Sequence, residues 1–281
     1  MKRLILALIV LSTSIKLTAQ APFPSKEEIK NFETSKTCVV LEDNAFSFYN
    51  EYIKDAVKSF WKITPYEIID TKEFNLRRTN PAYSFIVLTE TNYEKDKANG
   101  LFNFINLLQG KDVNKLGEMP EICAIPLSFA GEDDFGYSYK LGAILAFMQK
   151  HAQMIIEDPS LTGRKYLKYY NKFIPEVSSK TILVKKEDLA PEISSIEKIK
   201  AIYGNKIEIV TEEQIREAIE KKVPSTVILH KVGPVRELNG SYCFKMLIGT
   251  DDSNMYYYNQ HLIGKTAPNG FLAADLKRLK D

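Results

Sequence analysis

Three cysteines in 281 residues are too few, and odd in number, to staple a small disulfide-framed domain. At most one bridge can form. Cys38, Cys123 and Cys243 each lie in an apolar, strand-like run, TCVVL, ICAIPL and YCFKMLI. Cysteine in such a setting behaves as a small buried hydrophobe, so all three are expected as core thiols. The three histidines, His151, His230 and His261, share no helical spacing, and no zinc site is expected. With only 13 glycines and 12 prolines, scattered along the chain, there is no long flexible linker. No P-loop, dinucleotide fingerprint, nucleophile elbow, His-Glu-x-x-His or Cys-x-x-Cys pattern occurs. No cofactor, metal or catalytic residue is therefore assigned. The Ser-x-x-Lys matches at Ser59–Lys62 and Ser195–Lys198 are too short to carry a reading, and Lys62 falls at a helix end, a common place for a cation.

Charge of one sign is also missing. The chain has 38 Lys+Arg against 36 Asp+Glu, and three of the basic residues (Lys2, Arg3 and Lys16) lie in the first 19 positions. Those positions read as a signal peptide: a Lys2–Arg3 n-region, an apolar run from Leu4 to Leu11, a more polar stretch, and small residues at Ala19 and Ala21. The apolar run is short of the roughly 20 residues that span a bilayer. No second long apolar run follows, so no transmembrane segment is expected after signal removal. What remains, 35 basic residues against 36 acidic, has no basic stripe, and no nucleic-acid partner is expected. The expected location is outside the cytoplasm, in the periplasm or extracellular space, with association to the cell envelope.

What is present is strand–helix alternation. In the first half, strands are expected at Thr37–Leu41, Tyr66–Ile69, Tyr83–Thr89, Leu101–Leu108 and Ile122–Leu127, with helices at Ala45–Trp61, after the cap Asp70, and at Tyr137–Ile155. An aromatic helix, Gly163–Phe173, connects to the second half and is expected to dock between the two. There, strands are expected at Thr181–Lys185, Lys206–Val210, Ser225–Lys231, Ser241–Gly249 and Met255–Asn259, with helices at Ile193–Tyr203, after the cap Thr211, and at Asn269–Leu279. The halves run in register. Ser35–Lys36–Thr37 recurs as Ser179–Lys180–Thr181, Glu67–Ile68–Ile69 as Glu208–Ile209–Val210, cap Asp70 as cap Thr211, and Pro81 as Pro224. The spacing marks a domain duplication rather than a solenoid. The expected fold is α/β (α+β), two similar βαβαβββα lobes with mixed sheets covered by helices. The first repeat spans 35–157, a helical connector 158–178 and the second repeat 179–281. Strands joined by helical crossovers should be parallel, and the last two strands of each lobe an antiparallel hairpin at a sheet edge.

The run ISSIEKIKAIYGNKIEIVTEEQIREAI, followed by PSTVILHKV and SYCFKMLIGTDDSNMYYYNQ, resembles the N-terminal domain of TolB and its relative in CsgG. That resemblance is one of topology, and it implies a cell-envelope interaction module rather than an enzyme. The strand after Val223–Pro224 is also similar to the cis-proline strand of thioredoxin, but without a Cys-x-x-Cys pair no redox chemistry follows.

Two acidic turns, Glu132–Asp134 and Asp251–Asp252, lack the spacing of a calcium loop. The candidate binding residues are aromatic. Alternation along a strand sets Tyr257 opposite Tyr256 and Tyr258, so one side is expected in the core and the other on a recognition surface for sugar or protein. Trp61 is the fourth candidate. The expected function is non-enzymatic binding of a protein or surface polymer, at the groove between halves or at the hairpin edges. An exported hydrolase without a recognisable motif, and a small-ligand protein with a cleft between lobes, are the alternatives.

Overall fold

The computed structural model describes residues 21–44, 46–93, 95–163 and 166–280, so the leader assigned to residues 1–19 lies outside the described residues. Two five-stranded mixed sheets organise the chain. In the first lobe the strands are β1 (Lys36–Val40), β2 (Tyr66–Ile69), β3 (Tyr83–Asn92), β4 (Leu101–Gln109) and β5 (Glu121–Phe129), in the spatial order β2-β1-β3-β4-β5. In the second they are β6 (Thr181–Val184), β7 (Ile207–Ile209), β8 (Thr226–Val232), β9 (Tyr242–Gly249) and β10 (Met255–Leu262), in the order β7-β6-β8-β9-β10. The two layouts are the same. The helix-connected pairs β1–β2, β1–β3, β6–β7 and β6–β8 are parallel, and the remaining pairs are antiparallel. The expected α/β class, with two like-built sheets, is what the chain adopts.

The helices are α1 (Lys26–Thr34), α2 (Phe48–Phe60), α3 (Thr71–Arg77), α4 (Phe135–Ser138), α5 (Leu141–Glu157), α6 (Tyr166–Tyr169), α7 (Ile196–Lys200), α8 (Glu212–Glu220) and α9 (Ala273–Arg278). Their starts follow from side-chain caps. The Asp70 carboxylate accepts from the Glu73 amide at 2.8 Å, and Thr211 forms a capping box with Gln214. A third such signal, Ser25 with Glu28, starts α1, a helix the sequence reading did not assign. Helix α2 begins at Phe48 behind the cap Ser47, later than expected. The stretch expected as one helix from Ile193 to Tyr203 divides into a 3-10 turn at Pro191–Ile193 and the short α7, capped by Ser195.

Side chains alternate between sheet faces, and each sheet is covered on both. In the first lobe Val39, Ile86, Ile105 and Leu107 face α2 and α5, whereas Cys38, Val40, Phe85 and Val87 face α3 through Phe74. In the second, Leu183, Ile228, Met246 and Ile248 face the same cluster as α5, and Val227, Leu229 and Leu247 face α7 and α9. Helix α5 is buried on nearly all sides, from Leu141 to Ile155, as an all-round apolar helix must be. It lies where both lobes meet. Phe102 on β4 packs edge-on against Phe244 on β9, with ring centroids 5.2 Å apart. The lobes therefore share one continuous core. Cys38, Cys123 and Cys243 are free and buried. No helix among the described residues is long and apolar enough to cross a membrane.

The segment joining the lobes seals both hairpin edges. The Tyr166 hydroxyl accepts from the Ala124 amide at 2.5 Å and lies 3.0 Å from its carbonyl, occupying the free side of β5. The Asn171 side chain accepts from the Tyr258 amide at 2.7 Å and donates to its carbonyl at 3.0 Å, doing the same for β10. The hairpin edges expected as open docking sites are thus occupied by the chain itself at these positions.

Candidate functional site

The aromatic candidates are core residues, and this corrects their assignment as a binding surface. Tyr256, Tyr257, Tyr258 and Trp61 are all buried, the most exposed being Tyr258 at 7%. A register shift between Met255 and Tyr257 interrupts simple alternation, and both faces of β10 are covered. Each phenol is also engaged: Tyr256 donates to Asp252, Tyr257 to Asp275 at 2.5 Å, and Tyr258 to Gln260 at 2.6 Å. Trp61 closes α2 and donates its indole N–H to Thr64 at 2.9 Å. The acidic turns are structural as well. Asp134 accepts from the Tyr49 amide and Ser47 hydroxyl, Asp251 from the Ser225 amide, and Asp252 from the Asn254 amide.

The groove between the halves is present. In the second sheet β6 is flanked by β7 and β8, so the chain winds outward to β7 and then back past β6. The winding reverses between β6 and β8, and open α/β sheets bind ligands at the carboxyl ends of such a strand pair. A cleft of about 390 Å³ lies there. Lys185, Glu187 and Asp188 follow β6 into it, and Lys231, Val232 and Gly233 line it from the end of β8. The opposite wall belongs to the first lobe, with Glu132, Asp133, Gly136 and Tyr137 from the turn after β5 and from α4. Gly233 packs closely here: a Cβ would lie 2.5 Å from the Asn269 side-chain oxygen, on the same wall, which would have to shift.

Five carboxylates (Glu132, Asp133, Glu187, Asp188 and Glu237) and two ammonium groups line the cleft. The Lys185 ammonium is held by the Glu212 carboxylate. Burial pushes the Glu132 carboxyl above its ordinary range, partly offset by the Val235 amide that donates to it. Behind Asp188 stands Lys140, 2% exposed, with Nζ 3.6 Å from Asp188 Oδ2. Burial holds this lysine below the usual ammonium value, against the pull of Asp188. His230 is 1% exposed, and its Nε2–H donates to the Pro126 carbonyl at 2.8 Å, linking β8 to β5. Burial, reinforced by Lys140, pushes the imidazole down to about 3, so it is neutral at physiological pH.

The sequence reading missed Lys140, Asp188 and His230. A signal for two of them exists: Lys140 opens, and His230 interrupts, an otherwise apolar run, which places a polar group where only burial is available. No family model, curated protein or solved structure matches this chain.

Proposed function

We propose that this protein is an exported, non-enzymatic binding module of the cell envelope, holding a surface polymer or small molecule in the cleft between its lobes. The carrying observation is the position of that cleft: at the winding reversal of the second sheet, with a wall from each lobe. The leader-like N-terminus and the resemblance to the TolB N-terminal domain support the envelope setting. Gly136 supplies the test. It lines the cleft, and a Cβ there meets nothing within 4 Å, so Gly136→Trp can be rooted without a clash and is directed at the site, with an unchanged thermal midpoint of the free variant checking that the core is intact. Solubilised envelope polymers and a small-molecule library should raise the thermal midpoint of the native chain but not of Gly136→Trp. Equal responses from the two proteins would remove the cleft from the account. Cell fractionation should place the protein outside the cytoplasm.

A second reading, hydrolysis, rests on the five lining carboxylates, among which burial raises Glu132, since positioned carboxyl groups can serve as general acid and base. Turnover of chromogenic glycosides or esters that is abolished in Glu132→Gln would favour it over simple binding.

A further inference from the structure

The lobes meet at a second surface, separated from the cleft by α4. Gly136 and Tyr137 line the cleft, whereas Phe135 and Ser138 line a groove between α2 of the first lobe and α8 of the second. Two adjoining hollows of about 390 and 260 Å³ make up this groove, and they share Tyr52, Tyr139 and Arg216. Along α2 the lining runs from Glu51 to Phe60, about 14 Å of helix axis. Aromatic surface at one end is open to solvent. Phe135 is exposed and packs edge-on against Phe48, itself exposed, with ring centroids 5.2 Å apart. Phe46, two residues earlier in the chain, is 92% exposed. A single apolar side chain in water is ordinary, but exposed rings gathered beside a groove mark an interaction site. The rim is acidic. Glu51, Asp55, Glu212, Glu213 and Glu220 line the groove, and Arg216 is the one basic residue that does. Arg216 is shared between Glu213 and Glu220, and Lys185 holds Glu212. Lys222 stands over the Phe60 ring at 5.3 Å. Glu51 and Asp55 have no ion-pair partner among the described residues, and neither Lys54 nor Lys58 of α2 lines the groove. These two carboxylates stand one turn apart on α2, a like-charge spacing that weakens a helix rather than supporting it.

Charge selects among the occupants that aromatic surface would attract. An anionic membrane surface meets the rim as like charge. A second copy pairing by the same face would set the acidic rim against itself. A purely apolar partner would cover Glu51 and Asp55 without a counter-charge, a costly burial. A small cation would pair with those carboxylates but leave Phe46 and Phe48 in water. A chain segment carrying both basic and large apolar side chains answers both features, and a trough between two helices is a form in which such segments are received. We propose that the groove between α2 and α8 is a docking surface for a basic amphipathic polypeptide segment of a partner protein. Its apolar side chains rest on Tyr52, Phe135 and Phe48, and its Lys or Arg side chains pair with Glu51 and Asp55.

The test is fluorescence anisotropy of labelled peptides titrated with the full chain. The probes are an amphipathic Lys/Leu peptide of about four helical turns, its Glu/Leu counterpart, and a Lys/Ser peptide of equal charge without apolar residues. The Lys/Leu peptide should bind saturably at micromolar concentration. Glu51→Lys/Asp55→Lys should weaken it about tenfold or more, because like charges then face each other across the interface. Phe46→Ser should weaken it severalfold, and at so exposed a position the thermal midpoint of the free protein should not move. Glu187→Lys/Glu237→Lys makes the same change of charge at the cleft and should bind as the native chain does. Equal losses in the two double variants would reduce the effect to overall charge and overturn the proposal. Undiminished binding in both groove variants overturns it too, as does equal binding of the Glu/Leu or Lys/Ser peptide, or silence from the Lys/Leu peptide. Self-association of the native chain that Phe46→Ser abolishes would assign the surface to a second copy instead.

Discussion

Lowering the pH from neutral toward 5 should destabilise this protein through His151, a residue far from the proposed ligand. Its ring is 3% exposed, accepts at Nδ1 from the Tyr170 hydroxyl at 2.8 Å, and stacks on Tyr166 with centroids 4.6 Å apart. Burial pushes the imidazole down from its ordinary 6.5 to about 4. Between those values the unfolded chain binds more protons than the folded one. The histidine's contribution is therefore complete above pH 6.5 and is lost as pH falls toward 4. At about 1.36 kcal/mol per pH unit, the drop from 6.5 to 5 is about 2 kcal/mol, or about 4–8 °C in Tm for a chain of this size. His230 titrates in the same sense, and Glu121, whose carboxyl burial pushes up to about 7, in the opposite one. Both remain in His151→Gln, so the difference between the two proteins isolates His151. Trp61, the lone tryptophan and buried, reports urea unfolding by fluorescence. The stability advantage of the native chain over His151→Gln should shrink by about 2 kcal/mol between pH 6.5 and 5. A gap that stays constant within about 0.5 kcal/mol would refute the reasoning.

Three further perturbations test the frame around the cleft. Lys245 and Asp275 form a fully buried pair at 2.7 Å, with Tyr257, Asn259 and the Leu272 amide completing the carboxylate's shell. Lys245→Met strands that carboxylate and should cost about 3–5 kcal/mol in urea unfolding. Burial pushes Asp275 up, but Lys245 and the hydrogen bonds outweigh it and hold the carboxyl below 3.8. Its contribution is present above that pH and is lost as pH falls through the folded value; in the variant, with the pull of Lys245 gone and burial left to raise the carboxyl, acid should instead recover part of the lost stability. Asn171→Ala frees the Tyr258 amide and carbonyl, costing about 1–3 kcal/mol, and should bring concentration-dependent self-association visible by light scattering. Gly110→Ala sets a Cβ 2.2 Å from the Asn80 carbonyl oxygen, a backbone atom with little room to move, and should lower the thermal midpoint by an amount worth about 1–3 kcal/mol.

The fold was legible because its signals are local. Caps such as Asp70 and Thr211, the prolines ahead of β3 and β8, and unbroken apolar strands each state a boundary within a few residues, and their register anticipated two sheets of similar layout. The cleft was legible only as a groove between halves. Lys140, Asp188 and His230 come from the residue before α5, the turn after β6, and β8, and nothing in local spacing brings them near one another. The tyrosine run misled for a related reason. Alternation predicts which side chains share a face, but not whether a face is solvated, and here the 3-10 segment Tyr170–Ser179 packs along β10. Only tertiary structure supplies that covering layer.

Two sheets of like layout offer two winding reversals, and the two lobes treat theirs differently. In the first, the chain beyond β1 is closed by its own polar groups. Asn50 bonds the Glu42 amide and carbonyl, and Ser47 bonds both the Glu42 and Asp134 carboxylates. In the second, the chain beyond β6 runs along the open cleft. One short turn serves both purposes: Asp134 satisfies the start of α2, while its neighbours Glu132 and Asp133 face the cleft of the other lobe. Lys140, a few residues further on, carries its charge to Asp188 of that same lobe. A single copy of the repeat would therefore hold the strands and the reversal but lack both the acidic wall and the buried ammonium. Sharing one core through α5 is what sets a wall from the first lobe against the winding reversal of the second.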